Sequence, residues 1–96
     1  KIILIISFNK MPIGVVGFDL LNESEAEVSI YLVPDNKKAE GMGRYILLES
    51  ERWLIKNMAN INLLKATVSP NNLASQQMFK NASYAYNNDT YIKNLR

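Results

Sequence analysis

The sequence of 96 residues has no cysteine and no histidine. Without cysteine there is no disulfide framework, no thiolate metal site and no thiol nucleophile. Without histidine there is no Ser-His-Asp or Cys-His catalysis, no HExxH zinc motif and no imidazole acid–base chemistry. A metal site would have to be built from carboxylates alone. Because the nine Asp and Glu residues show no such spacing, we expect no metal.

Charge of one sign and long apolar runs are also scarce. The net charge of +2 is too small to indicate a nucleic-acid partner. The longest apolar run, residues 2–6, is too short to span a bilayer and lacks a secretory cleavage pattern, so no membrane partner is expected. A hydrophobic content of 48% with interspersed charges is typical of a small globular domain. We therefore expect a single cytoplasmic domain.

The pattern of apolar residues predicts eight elements in the order β-β-β-α-β-α-β-β. Period-two and continuous β-favouring runs predict strands, and apolar residues recurring every three to four positions predict helices. The predicted strands are residues 1–8, 13–21, 25–33, 63–69, 83–86 and 90–95. The predicted helices are residues 41–57 and 72–81, the second with Asn72 as its N-cap. Trp53 and the methionines are predicted to lie in the core.

A glycine turn separates the third strand from the first helix. Gly41-Met42-Gly43 exposes backbone N–H groups at the positive end of a helix, and Lys37, Lys38 and Arg44 flank it. Such a turn suits an anionic ligand such as a pyrophosphate. A dinucleotide fingerprint would need glycine where Ile46 stands, and a Walker A motif would need Lys-Ser/Thr in place of Arg44-Tyr45. A plain tight turn and a solvated basic loop remain the alternatives.

Two blocks of sequence then resemble the GCN5-related N-acetyltransferase (GNAT) superfamily. Residues 38–43, Lys-Ala-Glu-Gly-Met-Gly, resemble the family's Q/R-x-x-G-x-G/A signature, with lysine at its first position. Asn72 and Ser75, followed by Phe79 and Ser83-Tyr84, are similar to its second pattern, with serine in place of the usual glycine. The resemblance implies an α/β fold with a mixed, mostly antiparallel sheet. Residues 1–96 would be one such domain, truncated at the N-terminus and lacking the usual first strand and first two helices.

The resemblance also implies acetyl-CoA as the cosubstrate. In the family the third and fourth strands of this chain would separate to admit the pantetheine arm, and the glycine turn would hold the pyrophosphate. The implied contacts from the third strand and the turn are Tyr31, Leu32, Val33, Lys38, Ala39, Glu40, Gly41, Met42, Gly43 and Arg44. Those from the second helix are Asn72, Ser75 and Phe79.

The resemblance to the family is weakest at the positions of the expected general acid and general base. Family members often place a tyrosine acid where this chain has Phe79, so Ser75 or a water would have to support the leaving thiolate. Glu27 is the candidate base, with an exposed strand carboxylate as the alternative interpretation.

Two functions stay open. The first is an N-acetyltransferase acting on a small-molecule primary amine, with an amino sugar as one candidate because of a weak similarity to acetyltransferases of pseudaminic-acid-type pathways. The second is a non-catalytic acyl-CoA-binding or interaction module. An incomplete domain also leads us to expect a homo-oligomer or a fusion to another enzyme domain.

Overall fold

A computed structural model of the chain describes residues 1–32 and 41–96. The described residues form six strands and two helices. The strands are β1 (Ile2–Phe8), β2 (Met11–Leu20), β3 (Glu25–Leu32), β4 (Leu63–Ala66), β5 (Ala85–Asn87) and β6 (Thr90–Asn94). The helices are α1 (Gly43–Asn57), between β3 and β4, and α2 (Leu73–Asn81), between β4 and β5. The element order predicted from the sequence is confirmed.

The strands form a single sheet in the order β1-β2-β3-β4-β6-β5. The pairing of β3 with β4 is parallel, as predicted, and the other four pairings are antiparallel. A crossover through α1 makes the parallel pair possible, because parallel neighbours cannot be joined by a tight turn. The fold class predicted from the sequence, a mixed and mostly antiparallel sheet, is confirmed.

Two strand boundaries differ from the prediction for reasons that lie in the pairing. The strand predicted over residues 63–69 ends at Ala66. Its pairing with β3 stops at Lys65 and its pairing with β6 stops at Ala66, so the next three residues have no partner strand. The strand predicted from residue 83 begins at Ala85, because Ser83 has a positive φ of 73° and ends the preceding helix.

Both helices lie on the same face of the sheet. Glu51 of α1 contacts Lys93 of β6, and Phe79 of α2 stacks on Tyr91 of the same strand. Residues two apart on a strand point to one face, so the two helices share that face. On this face the buried core contains the residues Val16, Phe18, Ala26, Val28, Ile46, Leu47, Leu54, Leu64, Ala66, Phe79 and Tyr91.

Two of the core predictions are wrong. Trp53 is 37% exposed and Met11 is 45% exposed. Trp53 lies on the side of α1 that faces the sheet edge at β1, where it lines a groove and is not enclosed by the core. Met42, Met58 and Met78 do pack against the core as half-buried residues.

Strand β1 is an outer strand of the sheet, and its outward face is apolar. Ile3 and Ile5 are 63% and 69% exposed on the face opposite the helices. Such an apolar edge, unpaired among the described strands, offers a surface for pairing with a second chain. The homo-oligomer or fusion expected of an incomplete domain stays a prediction. No helix in the described part of the chain is long and apolar enough to cross a membrane.

Candidate functional site

A gap opens inside the sheet where the parallel ladder ends. β3 and β4 pair over only three rungs, and the last joins Glu27 to Lys65. β3 continues to Leu32 against β2 on its other side. The β4-facing edge of β3 beyond Glu27 therefore has no partner strand among the described residues. A cavity of about 220 Å³ fills the gap, lined by Val28, Ser29, Ile30, Tyr31, Thr67, Val68, Ser69, Asn72, Ser75 and Phe79.

A second cavity lies directly beside the first. It has a volume of about 590 Å³ and lies between the start of α1 and the outer side of α2. Tyr31 lines the first cavity and Leu32 the second, while Ser75 lines the first and Ala74 the second. The two cavities therefore lie at the same ends of β3 and α2. The remaining wall residues of the second cavity are Gly41, Gly43, Arg44, Gln77, Met78 and Asn81.

Among the described residues, no side chain caps the beginning of α1. Its N-cap residue is Met42, which provides no side-chain hydrogen bond, and the first turn contains no acidic residue. The backbone N–H groups of a first helical turn need an outside acceptor. Arg44 adds positive charge here, and its Nε donates a hydrogen bond to the carbonyl oxygen of Asn81 at 3.2 Å. The described end of the glycine turn is therefore suited to an anion.

The two glycines of the turn are required for different reasons. Gly41 has a φ of 77°, a conformation that L side chains rarely adopt, and its Cβ position is open space. Gly43 has an ordinary φ, but a Cβ there would overlap the Sδ and Cγ atoms of Met78. Gly43 thus allows α1 to lie close to α2. The sequence interpretation, that both glycines serve ligand approach, did not include this packing role.

The beginning of α2, by contrast, is capped by its own sequence. The Asn72 side chain accepts a hydrogen bond from the Ser75 backbone N–H at 3.1 Å, which confirms the predicted N-cap. The Ser75 side chain is half-buried at the wall of the smaller cavity. Phe79 lies one turn further along, only 3% exposed, at the same wall. The Ser75 and Phe79 side chains therefore both lie at the wall of the smaller cavity.

Glu27 lies on the face of the sheet that the helices leave uncovered. Its neighbours across the strands are Asp19 and Lys65. Lys1 pairs with Asp19 at 3.5 Å, and Lys65 pairs with Glu25 at 2.9 Å. The hydrogen bond from Lys65, aided by its charge, holds the pKa of Glu25 below its ordinary value. Both cations are thus engaged elsewhere, and no described residue pairs with Glu27.

The structure brings together most of the predicted site residues that it describes. Tyr31, Leu32, Gly41, Gly43 and Arg44 lie around the two cavities together with Asn72, Ser75 and Phe79. Met42 precedes α1, and Glu27 lies one rung before the gap. The predicted contacts Val33, Lys38, Ala39 and Glu40 lie outside the described residues.

Several lining residues were not found from the sequence. Residues 67–69 form one wall of the smaller cavity, and the sequence pattern had assigned them to a strand. The side of α2 that faces the larger cavity consists of Ala74, Gln77, Met78 and Asn81. Their spacing of three to four residues marks a single helix face, and this pattern could have identified them.

A larger groove of about 830 Å³ lies elsewhere, between β1 and α1. Tyr45, Glu49, Arg52 and Trp53 are among its lining residues, and it shares none with the two cavities above. Among the described residues, it is lined neither by Gly43, where α1 begins, nor by the unpaired edge of β3 inside the sheet. The candidate site is the pair of cavities that border the β3–β4 gap and the start of α1. No cluster of potential metal ligands occurs in the described part of the chain.

Solved structures share this architecture, although no protein-family model and no curated protein sequence matches the chain. The N-acetyltransferase PseH of Campylobacter jejuni aligns with a TM-score of 0.75 and 20% identity over 94% of this chain and 63% of that one. The spermidine/spermine N-acetyltransferase SpeG of Vibrio cholerae aligns with a TM-score of 0.78 and 14% identity over 97% of this chain and 66% of that one.

The aminoglycoside acetyltransferase AAC(6')-Ib, solved with coenzyme A and kanamycin, aligns with a TM-score of 0.83 and 12% identity over 96% of this chain and 65% of that one. PseH has also been solved with acetyl coenzyme A. The chain thus spans slightly less than two thirds of the length of these proteins, and it has their fold. The GNAT fold implied by the two sequence blocks is confirmed.

Proposed function

We propose that this chain is a GNAT-type N-acetyltransferase domain that binds acetyl-CoA and transfers its acetyl group to a primary amine. The main supporting observation is the gap between β3 and β4, which begins after Glu27 and Lys65 and opens beside a helix start that no described side chain caps. A strand edge without a partner and a helix start without a cap are both unusual inside a folded domain. Acetyl-CoA supplies hydrogen-bonding groups and phosphates that suit both.

In this proposal each of the two cavities binds a different part of acetyl-CoA. The start of α1 and Arg44 favour the pyrophosphate at the larger cavity. The arm would pass to the smaller cavity, where the β4-facing edge of β3 beyond Glu27 has no partner among the described strands. The predicted contacts in residues 33–40, among them Val33 and Lys38, belong to this proposal as well. Ser75 and Phe79 would then lie near the sulfur.

The proposed reaction is direct transfer in a ternary complex. The amine nitrogen attacks the thioester carbonyl, a C–N bond forms, the C–S bond breaks, and coenzyme A leaves as a thiolate. The chain must orient both substrates and accept a proton from the amine. Phe79 has no proton to give, so protonation of the thiolate falls to the Ser75 hydroxyl or to water.

Glu27 is the proposed base. Its carboxylate lies on the uncovered face, one rung before the gap, and no described residue neutralises it. An amine arriving from that face would meet a carboxylate, while the cosubstrate occupies the helix side. Proton removal through a water is consistent with a half-buried position at the mouth of the gap.

The acceptor is proposed as a small amine. Two of the similar structures are a spermidine/spermine acetyltransferase and an aminoglycoside acetyltransferase, and both classes of substrate carry primary amino groups. An amino sugar is our candidate within this class, because aminoglycosides contain amino sugars and because the sequence shows a weak similarity to amino-sugar acetyltransferases.

Calorimetry with acetyl-CoA and steady-state rates with a panel of amines test the proposal. Glu27→Gln should lower turnover at neutral pH and leave acetyl-CoA affinity unchanged, because the base acts on the amine. Glu23→Gln is the matched control, since it removes the same charge from an exposed turn position and should change neither quantity. Phe79→Tyr should leave turnover unchanged or raise it by adding a donor near the sulfur.

Each result has a definite meaning. Absence of acetyl-CoA binding would overturn the proposal. Binding without turnover on any amine would favour the non-catalytic acyl-CoA-binding module. Full turnover in Glu27→Gln would remove Glu27 as the base and leave proton removal to solvent, while acetyl transfer itself would stand.

A further inference from the structure

A buried ionic cluster links α1 to the C-terminal part of the chain. It consists of Glu51, Tyr84 and Lys93, which we call the Glu51 cluster. Glu51 Oε1 accepts a hydrogen bond from Lys93 Nζ at 2.6 Å, and Glu51 Oε2 accepts one from the Tyr84 hydroxyl at 2.9 Å. Lys93 Nζ also donates to the carbonyl oxygen of Ala82 at 2.8 Å. The side chains of Glu51 and Lys93 are only 5% and 17% exposed.

The Glu51 cluster is not expected to add much to the free energy of unfolding. Removing two charges from water carries a desolvation penalty, and apolar residues of similar volume often replace a buried ion pair without loss of stability. Such a cluster instead fixes the positions of its side chains, because each hydrogen bond holds two atoms at a defined separation. Burial, with the nearby Glu51 charge and hydrogen bond, raises the pKa of Tyr84 far above its ordinary value. This shift favours the protonated hydroxyl that donates to Glu51.

Tyr84 connects the cluster to the smaller cavity. The backbone N–H of Tyr84 donates to the carbonyl of Phe79 at 3.0 Å, and that of Ser83 donates to Lys80 at 3.0 Å. This pair of bonds is a Schellman motif. In such a motif the residues at the positions of Tyr84 and Phe79 commonly make a hydrophobic contact. Here that contact is an edge-to-face packing of the Tyr84 and Phe79 rings, with centroids 5.0 Å apart at 78°. Phe79 lines the cavity.

We propose that the Glu51 cluster is a positioning device, which holds the Tyr84 ring and through it sets the place of the Phe79 ring in the wall of the cavity. Glu51 is fixed on α1, whose first turn borders the larger cavity, and Phe79 is fixed on α2. The cluster thereby also sets how α2 lies relative to α1 around the two cavities. Its effect on acetyl-CoA rests on the proposed function, whereas its effect on Phe79 does not.

Two variants test the proposal against a control on the same helix. The triple variant Glu51→Leu/Tyr84→Phe/Lys93→Met removes every polar head and keeps similar volumes. Tyr84→Phe alone keeps the ring and the ion pair and removes only one bond. The control is Glu49→Gln/Arg52→Gln, which removes an ion pair of 3.0 Å from the exposed side of α1. Thermal unfolding, acetyl-CoA affinity and the ¹H chemical shifts of the Phe79 ring without ligand are measured for each.

We expect the triple variant to unfold near the wild-type temperature, because apolar packing replaces the ion pair. Its Phe79 ring resonances should shift, and acetyl-CoA affinity should fall by about 3- to 30-fold, the range typical of residues that act through a packed network. Tyr84→Phe should shift the same resonances by less. The control should match wild type in all three measurements.

Unchanged Phe79 resonances in both variants would overturn the proposal and leave the cluster a purely structural pair. Should the triple variant fail to fold, the Tyr84→Phe result decides by the same criterion. If the wild-type protein does not bind acetyl-CoA, the proposed function falls, and the Phe79 resonances alone still decide whether the Glu51 cluster positions that ring.

Discussion

Ser83 occupies a backbone conformation that favours glycine, and replacing it should stabilise the protein. Its φ of 73° places it just after α2, at the residue where a Schellman motif needs a left-handed conformation. The Ser83 side chain is exposed and makes no hydrogen bond within the described part of the chain. Ser83→Gly therefore changes the backbone preference and little else.

The size of the effect follows from two opposing terms. A left-handed conformation costs an L-residue about 1–2 kcal/mol, and glycine is free of this cost. Glycine also gives the unfolded chain more freedom, which costs about 0.5–1 kcal/mol. From the centres of these two ranges, the net gain in the free energy of unfolding is about 0.5–1 kcal/mol. For a domain of this size that raises the Tm by roughly 2–8 °C.

Urea denaturation with an unchanged slope measures this gain directly. Ser83→Ala should show none of it, because alanine has the same left-handed cost. Asn88→Gly is the matched control at another positive φ, 50°, and it should gain less because asparagine tolerates this conformation. If Ser83→Gly is no more stable than wild type, the conformational argument for this position is wrong.

Three further outcomes are expected. Asn72→Ala should lower the free energy of unfolding by about 1 kcal/mol, since the Ser75 N–H loses its cap, whereas Asn71→Ala at the preceding position should lower it less. Lys65→Met should return the lowered pKa of Glu25 toward its ordinary value in a carboxyl ¹³C NMR titration. In wild type the stability that this pair provides is present above the unfolded pKa of Glu25 and disappears as pH falls through its folded pKa. If the pKa of Glu25 in Lys65→Met stayed as low as in wild type, Lys65 would not be the cause of the lowered pKa. Gly43→Ala should destabilise by about 1–3 kcal/mol through overlap with Met78, and adding Met78→Ala should recover part of that loss. If acetyl-CoA affinity stays low in the recovered double variant, ligand approach matters at Gly43 in addition to packing.

Local sequence patterns predicted the elements well and their ends less well. The parallel pairing of β3 and β4 followed from a single helix between two apolar runs. The end of β4 at Ala66 did not, because a strand ends where its partners leave it, and those partners lie far away in the sequence. Trp53 follows the apolar period of its helix, yet it lies over the sheet edge and is partly exposed.

The sequence indicated part of the candidate site and missed the rest. The glycine turn and the Asn72 block are contiguous motifs, so the sequence indicated them. Glu51 was assigned to no role, because a buried carboxylate is recognisable only with its partner, and Lys93 is 42 positions away. Residues 67–69 were likewise missed, since their place in the cavity depends on a partner strand that is absent there.

The unequal pairing of β3 also predicts how fast its amides exchange with solvent. One edge of this strand is hydrogen-bonded to β2 as far as Leu32, while the other is bonded to β4 only as far as Glu27. Backbone N–H groups in a strand point alternately to its two sides. Beyond Glu27, slow and fast deuterium exchange should therefore alternate residue by residue, a pattern otherwise confined to strands at the border of a sheet. A ligand lying in the gap would slow only the fast set, so its arrival would be visible as the loss of that alternation.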